Sequence, residues 1–147
     1  MIGSGAGIAF GSEFFNRETP VHIPLDGFRN SRRVRLVVVP NHNGDRFAVD
    51  LRTGDDIALH FNPRFNEGAI ITNHTVSEHW QHEGKSDSLP FEHGKAYTLE
   101  FVSADTEIHV YLNGNSLLSY STPYALEDVR SLDVSGNVHV HSVHVIY

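Results

Sequence analysis

The sequence predicts an all-β protein built of two antiparallel sheets packed face to face. Three observations carry that expectation. Apolar and polar residues alternate with the period of two that a half-buried strand requires, turn residues interrupt the alternation at short intervals, and the 3.6-residue period of an amphipathic helix is nearly absent. A sheet with one apolar face must cover it, and a second sheet does so.

The elements follow in chain order. Val34 to Val39 is an apolar run entered through Arg29, Arg32, Arg33 and Arg35, charges that read as a strand edge resisting edge-to-edge pairing. Asn41-His42-Asn43-Gly44-Asp45 follows as a turn. In Arg46 to Arg52, Phe47, Val49 and Leu51 alternate with Arg46, Ala48, Asp50 and Arg52, so the two runs read as a hairpin with an Asn-Gly turn. Gly54-Asp55-Asp56 turns the chain into Ile57 to Arg64. Tyr97 to Val102, the turn Ser103-Ala104-Asp105-Thr106 and Glu107 to Leu112 form a second pair, and Asn113-Gly114 opens a hairpin into Leu117 to Tyr120. A short helical turn is expected near Ala125-Leu126-Glu127-Asp128, and Val138 to Tyr147 is the last strand. No linker, composition shift or internal repeat divides the series, so residues 1–147 read as one domain.

Composition narrows the functions. A chain of 147 residues buries a sizeable core without cross-links, and with no cysteine it has neither disulfides nor a thiol nucleophile. A formal net charge of −7 argues against nucleic acid, whose phosphates demand a basic surface. Met1-Ile2-Gly3-Ser4-Gly5-Ala6-Gly7-Ile8 lacks the basic and apolar regions of an export signal. No segment approaches the roughly 18 apolar residues of a spanning helix, so a soluble chain with no membrane insertion is expected.

The most directive stretch is Leu59-His60-Phe61-Asn62-Pro63-Arg64. Successive strand residues point to opposite faces, which puts His60, Asn62 and Arg64 on one face and Leu59 and Phe61 on the other. One face is suited to binding and the other to packing. Pro63 cannot donate to a strand ladder and marks an irregularity where Arg64 is presented. Downstream come Asn73, the only tryptophan, Trp80, and Glu83. Three large polar residues on one strand face exceed what a merely solvated surface needs.

From Arg46 to Gly94, the motif His60-Phe61-Asn62-Pro63-Arg64-Phe65-Asn66, then Asn73, then Trp80-Gln81-His82-Glu83 and Leu89-Pro90-Phe91, resembles the carbohydrate-recognition domain of the galectins. The resemblance implies a two-sheet jelly-roll sandwich that binds β-galactosides of the lactose and lactosamine type in a groove on the concave sheet. It implies no metal, no cofactor and no catalysis. It would put His60, Asn62 and Arg64 on the axial 4-hydroxyl that distinguishes galactose from glucose, and Asn73 on the 6-hydroxyl. Trp80 would stack on the apolar sugar face, and Glu83 would bridge Arg64 and the sugar. Asn73-His74-Thr75 is also a glycosylation sequon, and a glycan there would block the site.

The chain departs from the family pattern at Lys85, where an arginine is expected, and lysine lacks the planar two-pronged donor. That bears on the second sugar rather than on galactose. The segment from Arg64 to Asn73 is shorter than in many galectins, which opens the groove beyond galactose. Arg46 and Asp50 either line that opening or form a surface ion pair.

There are eleven histidines, and His139, His141 and His144 cluster near the carboxyl end. His139 and His141 share a strand face and could chelate a metal only with a third ligand; as polar residues of a terminal strand they fit an interface between copies. The resemblance thus implies a homo-oligomer that crosslinks glycoproteins or glycolipids, cytoplasmic and also extracellular by signal-peptide-independent export. Two other functions compete with this one. Glycoside hydrolysis needs two carboxylates flanking the bond, and Glu83 has no evident partner except Asp50. A galectin-like sandwich devoted to protein contacts, with weakened sugar binding, would explain Lys85.

Overall fold

The structure, a computed structural model, describes residues 10–29 and 31–146. It is a sandwich of two six-stranded antiparallel sheets with jelly-roll architecture. One sheet orders β1 (Phe10–Glu18), β14 (Val138–Ile146), β3 (Arg33–Pro40), β10 (Tyr97–Ala104), β11 (Glu107–Leu112) and β12 (Asn115–Ser121). The other orders β2 (Val21–Pro24), β13 (Ser131–Gly136), β4 (Phe47–Arg52), β5 (Ile57–Arg64), β6 (Ala69–Asn73) and β9 (Gly84–Lys85). A small hairpin, β7 (Thr75–Val76) and β8 (His79–Trp80), stands beside them, and Leu126–Asp128 is a single 3₁₀ turn. No helix among the described residues is long and apolar enough to cross a membrane.

The alternation does what was expected of it. Val34, Leu36 and Val38 of β3, Leu99 and Phe101 of β10, and Ile108 and Val110 of β11 meet Phe47, Val49 and Leu51 of β4 and Leu59 and Phe61 of β5 in one core. Phe61 sits at its centre, edge-on to Phe101 at 5.5 Å and to Phe91 at 6.5 Å between ring centres. Each such ring contributes about 1.5–3 kcal/mol by leaving water.

Two expectations are corrected. The runs Val34–Val39 and Arg46–Arg52 are not a hairpin: β3 pairs with β14 and β10, whereas β4 pairs with β13 and β5. Residues 41–46 arch from one sheet to the other, tied by Asn41 N to the Asn137 carbonyl at 3.0 Å and by Asn137 N to the Arg46 carbonyl at 2.9 Å. An Asn-Gly pair permits the bend in either case, so the local pattern could not separate the two. Nor is β3 an edge. It lies inside its sheet, and Arg33 and Arg35 flank Glu100 of β10 at 3.2 and 3.1 Å, neutralising a cross-strand carboxylate.

The hairpins β4–β5, β10–β11 and β11–β12 stand as expected, and the 3₁₀ turn falls within the anticipated stretch. Strands β1, β2 and β13 had no distinct signal in the sequence. They cover edges and interiors that pairing alone defines. Met1 to Ile8 and Tyr147 lie outside the described residues.

Candidate functional site

Strand β5 carries the site because its two faces part as the alternation requires: Leu59 and Phe61 enter the core, while His60, Asn62 and Arg64 line a groove of about 540 Å³ on the outer face of the sheet. Pairing sets their neighbours. His60 stands opposite Asp50 on one side and Asn73 on the other, Asn62 opposite Ile71, and Arg64 opposite Ala69 with an isolated bridge to Arg46.

Each polar side chain is held before any ligand arrives. Asp50 is only 9% exposed, and its carboxylate lies 2.5 Å from Nδ1 of His60. A carboxylate only accepts, so Nδ1 carries the proton and Nε2 is left as the free ring nitrogen for a ligand hydroxyl. Asn62 donates from Nδ2 to the Phe47 carbonyl at 2.7 Å and accepts from Nε of Arg64 at 2.8 Å. Arg64 donates also to Glu67 at 2.8 Å and to Glu83 at 3.2 Å. Three of its five N–H groups are thereby used, and two remain for a ligand. Orientation by several partners cuts the ordering cost of binding.

Trp80 forms the wall of the groove. It is 54% exposed, its ring centre is 4.7 Å from that of His60, and the planes are tilted by 55°. An exposed indole beside fixed polar groups offers an aromatic platform. Asn73 lines the groove from β6. It is 3% exposed and its amide is engaged, donating to the Gln81 carbonyl at 3.0 Å and accepting from His74 N at 2.8 Å. A sequon asparagine so buried is closed to a glycan in the folded chain.

The structure brings His60, Asn62, Arg64, Asn73, Trp80, Glu83 and Arg46 together around one groove. It does not bring Asp50 into the lining: that carboxylate is buried and taken by His60, its cross-strand neighbour on β5. Arg46 is not its ion-pair partner but approaches Glu67 at 3.7 Å. Lys85 stands on β9 opposite Ile71, outside the residues that line the groove. His139 leans toward Glu18 at 3.6 Å, His141 is exposed at the bulge of β14, and His144 packs edge-on to Phe15 at 5.8 Å, three separate surroundings.

Other lining residues were not foreseen. Phe47, Ala48, Gln81, Ser135 and Gly136 also line the groove, and β13, which supplies two of them, left no pattern in the sequence. Gly136 is required there: its φ is 90°, and a Cβ would meet the Arg46 carbonyl and the Phe47 Cα at 2.8 Å. Glu67 had a readable signal, an acid three residues after Arg64 in the turn Phe65 to Gly68.

The hydrogen bond from Arg64 holds the Glu67 carboxyl below its ordinary value of 4.5, with the charges of Arg64, Lys85 and Arg46 adding to it. A depressed acid stabilises the fold above its unfolded value and loses that contribution as pH falls through its folded one. An NMR titration of the Glu67 carboxyl carbon should therefore show a midpoint below 4.5. A midpoint at or above that value would mean that Arg64 does not hold it.

Comparison with known proteins agrees with this geometry. The family model described as galactoside-binding lectin matches residues 19–145. The chain is similar to galectin-3 of Oryctolagus cuniculus, 32% identical over 128 residues that cover 84% of this chain and 53% of that protein. It is also similar to a 32 kDa beta-galactoside-binding lectin of Haemonchus contortus, 28% identical over 120 residues covering 81% and 42% respectively. The chain thus spans about half the length of the curated relatives it matches. Among solved structures, the Caenorhabditis elegans galectin LEC-6 superposes with a TM-score of 0.89 and 45% identity, over 96% of this chain and 100% of that one.

Proposed function

This chain belongs to the galactoside-binding lectin family, whose members bind carbohydrate and are not enzymes, and on that premise we propose that it is a receptor for lactose- and lactosamine-type β-galactosides that uses no metal ion. The observation that carries the proposal is the preset trio of His60, Asn62 and Arg64 beside a half-exposed Trp80. In this reading Nε2 of His60, the Asn62 amide and the two unused N–H groups of Arg64 converge on the axial 4-hydroxyl of galactose. Asn73 faces the 6-hydroxyl, and Trp80 stacks on the apolar sugar face. Glu83 steadies Arg64 and accepts from the sugar. A glucoside, whose 4-hydroxyl is equatorial, would leave those buried groups unpaired, which is a strong basis for discrimination.

Beyond galactose the groove is lined by Arg46, which approaches Glu67 of the short turn that joins β5 to β6, while Lys85 acts on that carboxylate from outside the lining. The second sugar is consequently held less firmly than the first. Multivalent presentation compensates for one shallow site: a homo-oligomer would raise avidity on glycoproteins or glycolipids by roughly 10². Such crosslinking fits a protein present both in the cytoplasm and outside the cell.

A glycan array with wild type and His60→Ala tests the proposal. We expect selective binding of terminal galactosides and lactosamines by the wild type. The variant should lose about 2- to 12-fold in affinity, since a hydrogen bond in this setting contributes about 0.5–1.5 kcal/mol. Equal retention of glucosides and galactosides by the wild type would refute the role given to His60, Asn62 and Arg64.

A further inference from the structure

The hairpin that bears Trp80 adopts a turn its own residues disfavour. Strands β7 and β8 pair Thr75 with Trp80 and Val76 with His79, leaving a two-residue loop, Ser77-Glu78, in which both residues have positive φ, 51° and 64°. A loop of that geometry is a type I′ turn, which favours Asn-Gly because side chains other than those of Gly, Asn and Asp resist the left-handed region. Something outside the hairpin must hold it.

That group is Asp56. Its backbone carbonyl accepts from Thr53 N at 2.9 Å, closing the turn between β4 and β5. Its Oδ1 accepts from Oγ1 of Thr75 at 2.8 Å and from the backbone N of Glu78 at 2.7 Å, one contact on the hairpin's first strand and one inside its loop. Thr75 Oγ1 in turn accepts from Ile57 N at 2.8 Å, and Tyr124 donates its hydroxyl to the Thr75 carbonyl at 2.6 Å. Thr75 stands directly opposite Trp80, so the brace acts across one pair of residues.

We propose that Asp56 is a positioning residue for Trp80: its carboxylate holds the Ser77-Glu78 turn in the left-handed region and so presets the aromatic wall of the groove. This rests on the lectin reading only for its consequence on affinity; the effect on Trp80 itself is independent of any sugar. The hydrogen bonds from Glu78 and Thr75 also keep the Asp56 carboxyl below its ordinary value of 3.8, as expected of an acceptor used in its charged form.

Trp80 is the only tryptophan, so its fluorescence reports on the hairpin alone. In Asp56→Ala without sugar, acrylamide quenching and depolarisation of Trp80 should rise, and lactose affinity should fall about tenfold, as the binding-competent fraction falls. Adding Ser77→Asn with Glu78→Gly to Asp56→Ala should restore most of both, because that pair adopts the turn unaided. Asp56→Asn retains an acceptor oxygen and should stay near wild type, which keeps the test open if the alanine variant folds poorly. Unchanged Trp80 quenching in Asp56→Ala, or no rescue by the turn substitutions in a folded variant, would overturn the proposal. If wild type binds no galactoside, the lectin reading falls while the sugar-free quenching still decides the role of Asp56.

Discussion

Replacing Arg64 with alanine is expected to reduce lactose affinity by a hundredfold or more while leaving the protein folded. Its guanidinium offers two N–H groups beyond the three taken by Asn62, Glu67 and Glu83, and hydrogen bonds to a charged donor contribute about 1.5–3 kcal/mol each. Losing two such contacts corresponds to more than a hundredfold in the dissociation constant. The substitution also frees Glu67 and Glu83 from the cation that holds them and leaves the buried Asn62 without its donor. Arg64 is not part of the apolar core, so the thermal midpoint should fall by only a few degrees. Arg64→Lys should bind between the two, since one ammonium cannot span three acceptors in the plane of a guanidinium. Calorimetric titration with lactose, alongside thermal unfolding, decides it. Retention of affinity within threefold would remove Arg64 from the site.

Phe61→Ala, three residues earlier on the same strand, should have the opposite signature. Phe61 is fully buried between the rings of Phe91 and Phe101, and truncating a core phenylalanine costs about 3–5 kcal/mol, a large share of the 5–15 kcal/mol that holds a domain folded. The midpoint of thermal unfolding should fall by roughly 10 °C or more. At a temperature where the variant is still folded, lactose affinity should change little, because the groove face keeps its own hydrogen bonds. An unfolding free energy within about 1 kcal/mol of wild type would show that the cavity collapses and that Phe61 is not a core anchor. Together the two variants separate the two faces of β5.

Those two faces were legible in the chain itself. Alternation is a covalent fact of an extended backbone, so Leu59 and Phe61 had to part from His60, Asn62 and Arg64 whatever sheet received them. The resemblance carried by the same motif, with Asn73, Trp80 and Glu83, named the family before any fold was known. Hairpins closed by short turns were equally readable, as in Asn113-Gly114 between β11 and β12, where both residues have positive φ, 49° and 84°.

What the chain did not reveal was partnership. The Asn43-Gly44 bend carries the chain between sheets rather than back along one, and β3 is interior despite the arginines at its entry, because pairing depends on strands that arrive a hundred residues later. Asp50 illustrates the same limit. It looked like a rim residue on a neighbouring strand, and register placed it opposite His60, where it sets the histidine's tautomer. Asp56 read only as a turn residue.

The sequence by itself determined the fold class, the family, and the set of side chains on the groove face of β5, since each follows from local periodicity and a contiguous motif. Only the tertiary structure decided which further residues orient them: Asp50 for His60, Phe47 and Arg64 for Asn62, Glu67 for Arg64 beside the Glu83 already implied by the resemblance, and Asp56 for the turn that carries Trp80. Orientation comes from hydrogen bonds across strands and between turns, and the distances that make them exist only once the sheets have paired.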